Sequence, residues 1–423
     1  MSRGKLAAGI FRPSDPQPCD ALAFHNWVNI LRRMRIAINH TRFRNQGGIE
    51  FHIFQLVERL LADGHEVHCF VRRWTPHDHP RLRFHHVPVL PLGEGVKALT
   101  FAYASFLKIS RERFDVVHGF SKTFEQTVYT DGSGSFSDYR RYLGSASLWR
   151  RITTFRPLLA FATWHIERRR FRRTPPPRVL AMSADTREQI LRRHRFPAER
   201  IVVAYSGVDT QRFQPGTSPA LREAVRARLG TPEKRLALLC IGNDFRRKGF
   251  DTAIKAMTLL PKALCALWIL GQDRNSSRYE RLAERLEVEA RFLGSSADPT
   301  ELFAGADAFL FPSRFDVFGN AALEALASGL PAILSRKAGV SELVEDGHDG
   351  LLLRDPESPL ALAQLVRRIF DPELRQKLAM NARETAKKYS FEAYYRRVLE
   401  AYHTAQGTGP KQLEEEKDPG ADQ

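Results

Sequence analysis

The chain has 423 residues, 43% of them hydrophobic, with a formal net charge of +17. At about 150 residues per domain, this length predicts two or three domains with ample core. No apolar run approaches the ~18 residues that span a bilayer, the start lacks the apolar stretch of a signal peptide, and Cys19, Cys69, Cys240 and Cys265 show no CxxC spacing, which argues for reduced thiols and against a disulfide frame or zinc site.

Residues 1–33 read as an appended or misassigned start. Folded elements begin at Met34, where Arg35-Ile36-Ala37-Ile38 forms a short apolar strand. A loop containing Gly47-Gly48 follows, then an amphipathic helix from Ile49 to Asp63, ended by Gly64-His65. Glu66 to Val71 is the second strand, which completes a β-loop-α-β unit. Phe114 to His118 and Arg178 to Ser183 are further buried strands, and Ile201 to Tyr205 runs into Ser206-Gly207-Val208-Asp209. A second half starts with the strongly apolar Leu236 to Ile241 and a helix around Thr252 to Leu259. Ala266 to Leu270, Ala308 to Phe311 and Pro331 to Leu334 continue it. Short apolar runs separated by helical stretches argue for parallel doubly wound sheets. The expected fold is therefore α/β, with two Rossmann-like domains, 34–206 and 207–385, facing a central cleft. The polar, acidic tail 406–423 has the composition of a disordered segment.

The positive charge is uneven. Between Arg140 and Arg178 there are eleven arginines and one acid, Glu167, interleaved with Tyr142, Trp149, Phe155, Phe161, Trp164 and Phe171. That mixture suits an anionic surface, and a membrane face better than base reading. A solvated basic helix face would give the same pattern.

The chemistry-bearing residues cluster at strand ends, where open α/β sheets take their ligands. After Phe311 the chain reads Pro312-Ser313-Arg314-Phe315-Asp316-Val317-Phe318-Gly319-Asn320 and then enters a helix. A glycine there lets backbone amides approach a phosphate, and the helix N-terminus behind it favours negative charge. Glu324, read as about two turns into that helix, is placed to reach a ribose, and Asp316 a sugar hydroxyl. In Gly242-Asn243-Asp244-Phe245-Arg246-Arg247-Lys248-Gly249, the adjacent cations can neutralise a diphosphate without a metal. This agrees with the lack of an Asp-x-Asp motif. Gly47-Gly48, with Glu50 just beyond, offers backbone room beside a helix start. An amphipathic helix with incidental acids, a basic surface loop and a plain turn are the bland alternatives for these three segments.

Asp316-x7-Glu324 resembles the carboxylate-x7-carboxylate signature of retaining GT-B glycosyltransferases of the family-4 type. That family usually has Glu at both ends; the shorter Asp316 bears on sugar preference more than on activity. Ile241 to Gly249 most nearly resembles the lipopolysaccharide core α-1,3-glucosyltransferases. Asn243 stands where many relatives carry Arg, so Arg247 and Lys248 lead. Ser206-Gly207-Val208-Asp209 with Phe213 matches the interdomain hinge, where Gly207 supplies backbone freedom and Phe213 an anchor. His118-Gly119-Phe120-Ser121-Lys122 has Phe120 where many relatives have a donor-sugar His. His118 itself is read as structural, and Ser121, Lys122 and Asp131 are placed to meet donor or acceptor.

The resemblance implies Asp316, Lys248 and Arg247 as catalytic residues. It implies Gly47, Gly48, Gly242, Phe318, Gly319, Asn320 and Glu324 around the donor, no metal, and no cofactor beyond the nucleotide-sugar. It implies a helix over 386–405 packing back on the first domain. Transfer of glucose from UDP-glucose to a phosphorylated, lipid-linked lipopolysaccharide core saccharide follows as the expected activity. With that activity go a peripheral, cytoplasmic place on the inner membrane, contact with anionic lipid through 140–178, and no specific nucleic acid partner. Asp316 leaves UDP-galactose, UDP-N-acetylglucosamine or a nucleotide-mannose open. A GT-B UDP-sugar epimerase and a non-catalytic basic binding module are the alternatives from other classes.

Overall fold

The computed structural model describes residues 33–45, 47–132, 157–216, 218–296 and 298–407. The expected start 1–33, apart from Arg33, and the tail from 408 lie outside the described residues, as do Cys19, Tyr142, Trp149 and Phe155.

The apolar runs of the first half form a seven-stranded parallel sheet. Its strands are β1 Arg35–Asn39, β2 Glu66–Val71, β3 Leu82–His86, β4 Val116–Gly119, β5 Val128–Asp131, β6 Arg178–Ala181 and β7 Ile201–Val203, in spatial order β3-β2-β1-β4-β5-β6-β7. The second half forms a six-stranded sheet from β8 Leu236–Ile241, β9 Cys265–Leu270, β10 Ala290–Phe292, β11 Ala308–Phe311, β12 Ala332–Ser335 and β13 Leu351–Leu353, ordered β10-β9-β8-β11-β12-β13. In both sheets the winding reverses beside the first strand. Crevices therefore open at the carboxyl ends between β1 and β4 and between β8 and β11. Those are the ends at which the candidate residues sit.

Helices cover the sheets: α1 Gly48–Ala62, α2 Glu94–Ile109, α3 Pro157–Phe171 and α4 Ala184–His194 in the first half, then α5 Pro219–Arg228, α6 Phe250–Met257, α7 Ser276–Arg285, α8 Thr300–Gly305, α9 Asn320–Ala327, α10 Pro359–Ile369 and α11 Pro372–Lys388. The last, α12 Phe391–Gln406, packs on β4, β5 and β6. β8 is hydrogen-bonded on both edges and covered on both faces, so its sequence is continuously apolar. In α1 the buried Ile53, Leu56, Val57, Leu60 and Leu61 repeat at helical spacing and form one stripe. Ser183 starts α4 by accepting a hydrogen bond from the Thr186 amide at 3.1 Å.

Two chain crossings join the halves, and they are paired with each other. The Val208 amide donates to the Tyr389 carbonyl at 3.0 Å, and the Phe391 amide to the Val208 carbonyl at 2.9 Å. Gly207 corrects a sequence expectation. Its φ lies outside the left-handed region, and the absence of a side chain matters because a Cβ would stand 2.6 Å from Phe391 Cα. α12 is tied to the first half by buried tyrosines: Tyr402 OH lies 2.8 Å from His118 Nδ1, and Tyr395 OH donates to Asp63 at 2.7 Å.

The basic stretch divides where it is described. Arg170 is buried, stacks 3.9 Å over Tyr129 and donates to the Ser121 and Thr123 carbonyls. Arg173 donates to the Gln126 carbonyl at 2.7 Å. Arg170 of α3 and Arg173 just beyond it tie this segment to the loop between β4 and β5, while Arg168, Arg169 and Arg172 are exposed. Leu158, Phe161 and Trp164 on α3 are exposed, with Arg168 over the Trp164 ring. No helix among the described residues is long and apolar enough to cross a membrane.

Candidate active site

The loop after β8 carries two cations onto one oxygen. Arg247 Nη1 and Lys248 Nζ each lie 2.6 Å from Asp316 Oδ2, which comes from the loop after β11. The Lys248 stem runs over Gly242, where a Cβ would stand 2.8 Å from Lys248 Cε, and φ there is +153°. Lys248 Nζ also sits 4.4 Å above the Phe311 ring. Gly242 is thus the floor that lets a lysine lie flat across a strand end.

The Asp316 side chain is 13% exposed. Burial by itself raises its pKa, but Lys248 and Arg247 outweigh that and hold the carboxyl down to about 2. Burial pulls the Lys248 pKa below that of an ordinary lysine, while Asp316 pulls the other way. The backbone of Asp316 is fixed as well: its amide donates to the Lys337 carbonyl at 3.1 Å, and its carbonyl accepts from the Gly339 amide at 3.2 Å.

The turn into α9 has the shape that its sequence announces. Gly319 has φ +110°, and a Cβ there would meet Phe311 at 2.8 Å. It caps α9 without any side-chain hydrogen bond. Phe318 is buried in the core, so only its backbone borders the turn. Asn320 Nδ2 donates to the Gly48 carbonyl at 3.3 Å and so bridges to α1, whose cap Gly47 also carries no side-chain bond. Glu324 is the fifth residue of α9, nearer its start than two turns, because the helix begins only at Asn320. It shares a narrow space with Gly48, His52, Gln55 and Gly207. Burial pushes its carboxyl up to about 7, Arg212 opposes this, and Asp298 adds to it.

The first-half candidates divide. His118 is buried, its second nitrogen 2.8 Å from Thr130 Oγ1, and it serves as the mount for α12. Ser121 Oγ lies 2.7 Å from His40 Nδ1. Asp131 is buried and accepts from Tyr129 OH at 3.1 Å; burial and then Glu167 raise its pKa. Lys122 stands 3.6 Å from Glu167. Glu50 folds back toward Gly47 at the start of α1. His68, His85 and Glu112 form the only cluster of metal-ligating atoms among the described residues. Its histidines lie within β2 and β3, where Arg35 holds Glu112 at 2.7 Å and the imidazoles bond each other at 2.8 Å.

Sequence reasoning missed the contact that closes the cleft. Glu342 accepts hydrogen bonds from the Ala184 and Asp185 amides at 2.7 and 3.1 Å and from Tyr205 OH at 3.0 Å. A carboxylate from the second half therefore caps α4 of the first. His52 was missed too: it is buried, Nδ1 lies 3.3 Å from Ser206 Oγ, and Nε2 has no hydrogen-bond partner among the described residues. Nothing in the local sequence around either residue distinguishes it.

Residues 222–388 match the family described as Glycosyl transferases group 1, and residues 46–212 match Glycosyltransferase Family 4. The chain belongs to the GT-B glycosyltransferases of this group 1/family 4 type. Lipopolysaccharide glucosyltransferase WaaG of Escherichia coli (strain K12) is 26% identical over 347 residues, which cover 80% of this chain and 91% of that protein. The WaaG crystal structure superposes with a TM-score of 0.77 at 24% identity, covering 88% of this chain and all of that one. Sucrose-phosphate synthase from Thermosynechococcus elongatus gives 0.73 at 23% identity over 89% of this chain and all of that one. Anabaena HepE, solved in complex with UDP-glucose, gives 0.69 at 17% identity over 88% of this chain and all of that one. The last three likenesses speak for the GT-B fold.

Proposed function

We propose that this glycosyltransferase retains anomeric configuration and moves a hexose, glucose from UDP-glucose, onto a lipopolysaccharide core or similar lipid-linked saccharide. The observation that carries the reading is the sharing of one Asp316 oxygen by Arg247 and Lys248 at the reversal point of the second sheet. The Asp316 carboxylate is the counter-ion of Lys248 and shares Arg247 with Asp244 in a partly buried place. A diphosphate entering below the α9 amides takes those cations over and leaves Asp316 to accept from sugar hydroxyls. Glu324 then takes the ribose. As the bond from C1 to the phosphate oxygen breaks, the acceptor oxygen bonds to C1 on the same face, and its proton passes to the departing phosphate. Lys248 and Arg247 stabilise the charge that develops there. The resemblance to WaaG and to HepE supports a UDP-sugar donor, and the residues present require no metal for this role.

The exposed Leu158, Phe161 and Trp164 beside Arg168 support contact with an anionic membrane from the cytoplasmic side.

The test is thermal stabilisation of the purified protein by a panel of nucleotides and nucleotide-sugars, with Lys248→Ala beside it. UDP and one UDP-sugar should stabilise the wild type and barely affect the variant, whose turnover should fall ~10²- to 10³-fold. Stabilisation by anionic vesicles or nucleic acid but by no nucleotide would sink the reading. The anomeric configuration of the product, read by NMR, decides retention.

A further inference from the structure

Beside Asp316, residues of the two halves line an open cavity of 490 Å³ whose lining does not include Glu324. This lies within the range of small-ligand sites, roughly 300–1,000 Å³. The start of α4 contributes Thr186 and Gln189, and the loops after β11, β12 and β13 contribute the opposite wall. That wall carries Arg336 and Lys337, adjacent and exposed at the carboxyl end of β12.

Five acids line the cavity, each with hydrogen-bond partners of its own, and none pairs with Arg336 or Lys337. Asp316 is held by Arg247 and Lys248. Glu357 pairs with Arg314 at 3.2 Å, and Glu342 caps α4. Asp185 accepts from Gln189 at 2.6 Å, and Asp355 from the Glu357 amide at 2.9 Å. Arg336 and Lys337 form no ion pair among the described residues. Their backbone is nonetheless fixed. The Arg336 amide donates to the Leu353 carbonyl at 3.0 Å, the Lys337 amide to Ser335 Oγ at 3.1 Å, and the Lys337 carbonyl accepts from the Asp316 amide. Two cations without a salt-bridge partner among the described residues are thus carried on the strand end that is hydrogen-bonded to the Asp316 segment.

We propose that this cavity receives the acceptor, and that Arg336 and Lys337 bind an anionic substituent, phosphate or carboxylate, on that saccharide. The inference rests on the transferase reading and deepens it. A neutral sugar offers two cations only hydroxyl acceptors. A charged one gains an ion pair with both partners ionised and can meet Arg336 in a bidentate contact, while hydroxyls face Thr186 and Gln189. Because the same loop positions Asp316, the anion fixes the acceptor relative to the donor hexose.

The experiment is calorimetric titration of the full chain, saturated with UDP, with glucose 6-phosphate, glucuronate and glucose. Both anionic sugars should bind, and glucose on the order of tenfold more weakly or not at all. Arg336→Ala/Lys337→Ala should lose both anions yet keep its stabilisation by UDP. Arg281→Ala/Arg285→Ala, on the exposed face of α7, should leave binding unchanged and so exclude general charge attraction. Tighter phosphate than carboxylate binding would identify the substituent as phosphate, and the reverse order as carboxylate. The proposal is overturned if the Arg336/Lys337 variant binds the anions like wild type, if glucose binds equally well, or if neither anion binds while UDP does. Failure of UDP itself to bind would instead remove the transferase reading on which this rests.

Discussion

Asp316→Asn keeps the shape of the side chain and removes its charge, and the structure assigns opposite signs to its effects on binding and on turnover. Two cations at 2.6 Å lower the Asp316 pKa from 3.8 to about 2 against the pull of burial. At about 1.4 kcal/mol per pH unit, that shift corresponds to about 2 kcal/mol favouring the ionised carboxylate. The folded value is depressed, so this stabilisation is present above 3.8 and is lost as pH falls toward 2. At neutral pH a diphosphate must compete with it for Arg247 and Lys248. With asparagine in place the competitor is gone, and UDP binding should tighten by roughly tenfold. Turnover should fall by ~10² or more, since the hexose loses the carboxylate that orients it. The free variant should also melt lower than wild type, because Lys248 keeps its burial and loses its counter-ion, and UDP should restore more stability than it does in wild type. Calorimetric titration of UDP at neutral pH, paired with a turnover assay, reads both signs. Unchanged or weaker UDP binding in Asp316→Asn would refute the idea that Asp316 and the diphosphate share these cations.

Glu324, with a pKa pushed up to about 7, makes donor binding pH-dependent. Ribose hydroxyls donate to a carboxylate, so UDP affinity should rise as pH passes upward through 7, and Glu324→Gln should flatten the profile. The folded value is raised, so the free protein should lose stability between 4.5 and about 7 as the unfolded chain sheds that proton first. Glu342→Ala leaves the leading amides of α4 without their partner. In this exposed position the cost in stability should be about 1 kcal/mol or less, while small-angle scattering should show a more open cleft and kinetics a higher KM. Tyr402→Phe strands a nitrogen of the buried His118 and should cost about 1–3 kcal/mol in denaturant unfolding with UDP affinity unchanged; a changed affinity would return His118 to the donor site.

The parts of this enzyme that were legible in its sequence are those built from contiguous residues. β8 and β11 are central strands covered on both faces, so their apolar runs stand out without any partner being known. The same holds for Asp316, Gly319 and Glu324, which one loop and the first turns of one helix deliver together. Edge and end strands were not legible. β3, Leu82–His86, carries two histidines and an arginine in five positions and shows no apolar run. β5 ends in Thr130 and Asp131, polar residues that the interior tolerates because His118 and Tyr129 satisfy them. Charge was the least transferable signal. Arg170 belongs by composition to a basic surface stretch, yet it is buried, because carbonyls of the loop between β4 and β5 and the Tyr129 ring are there to receive it.

The same contrast explains why the closure of the cleft escaped notice while its contents did not. Glu342 and Ala184 are 158 residues apart, and His118 and Tyr402 are 284 apart. Each contact is made by one unremarkable residue on each side, and only the doubling back of the chain at Val208 and Ser390 brings the partners together. A motif reports what a strand end can hold, because local geometry suffices to hold it. How two such ends are brought to face each other is written in single residues with distant partners. Arg336 and Lys337 are of that second kind: they follow a strand without a glycine turn or a helix start, and acquire a use only from the α4 wall across the cavity. If they do bind the anion of an acceptor, specificity in this enzyme resides where its sequence carries no motif.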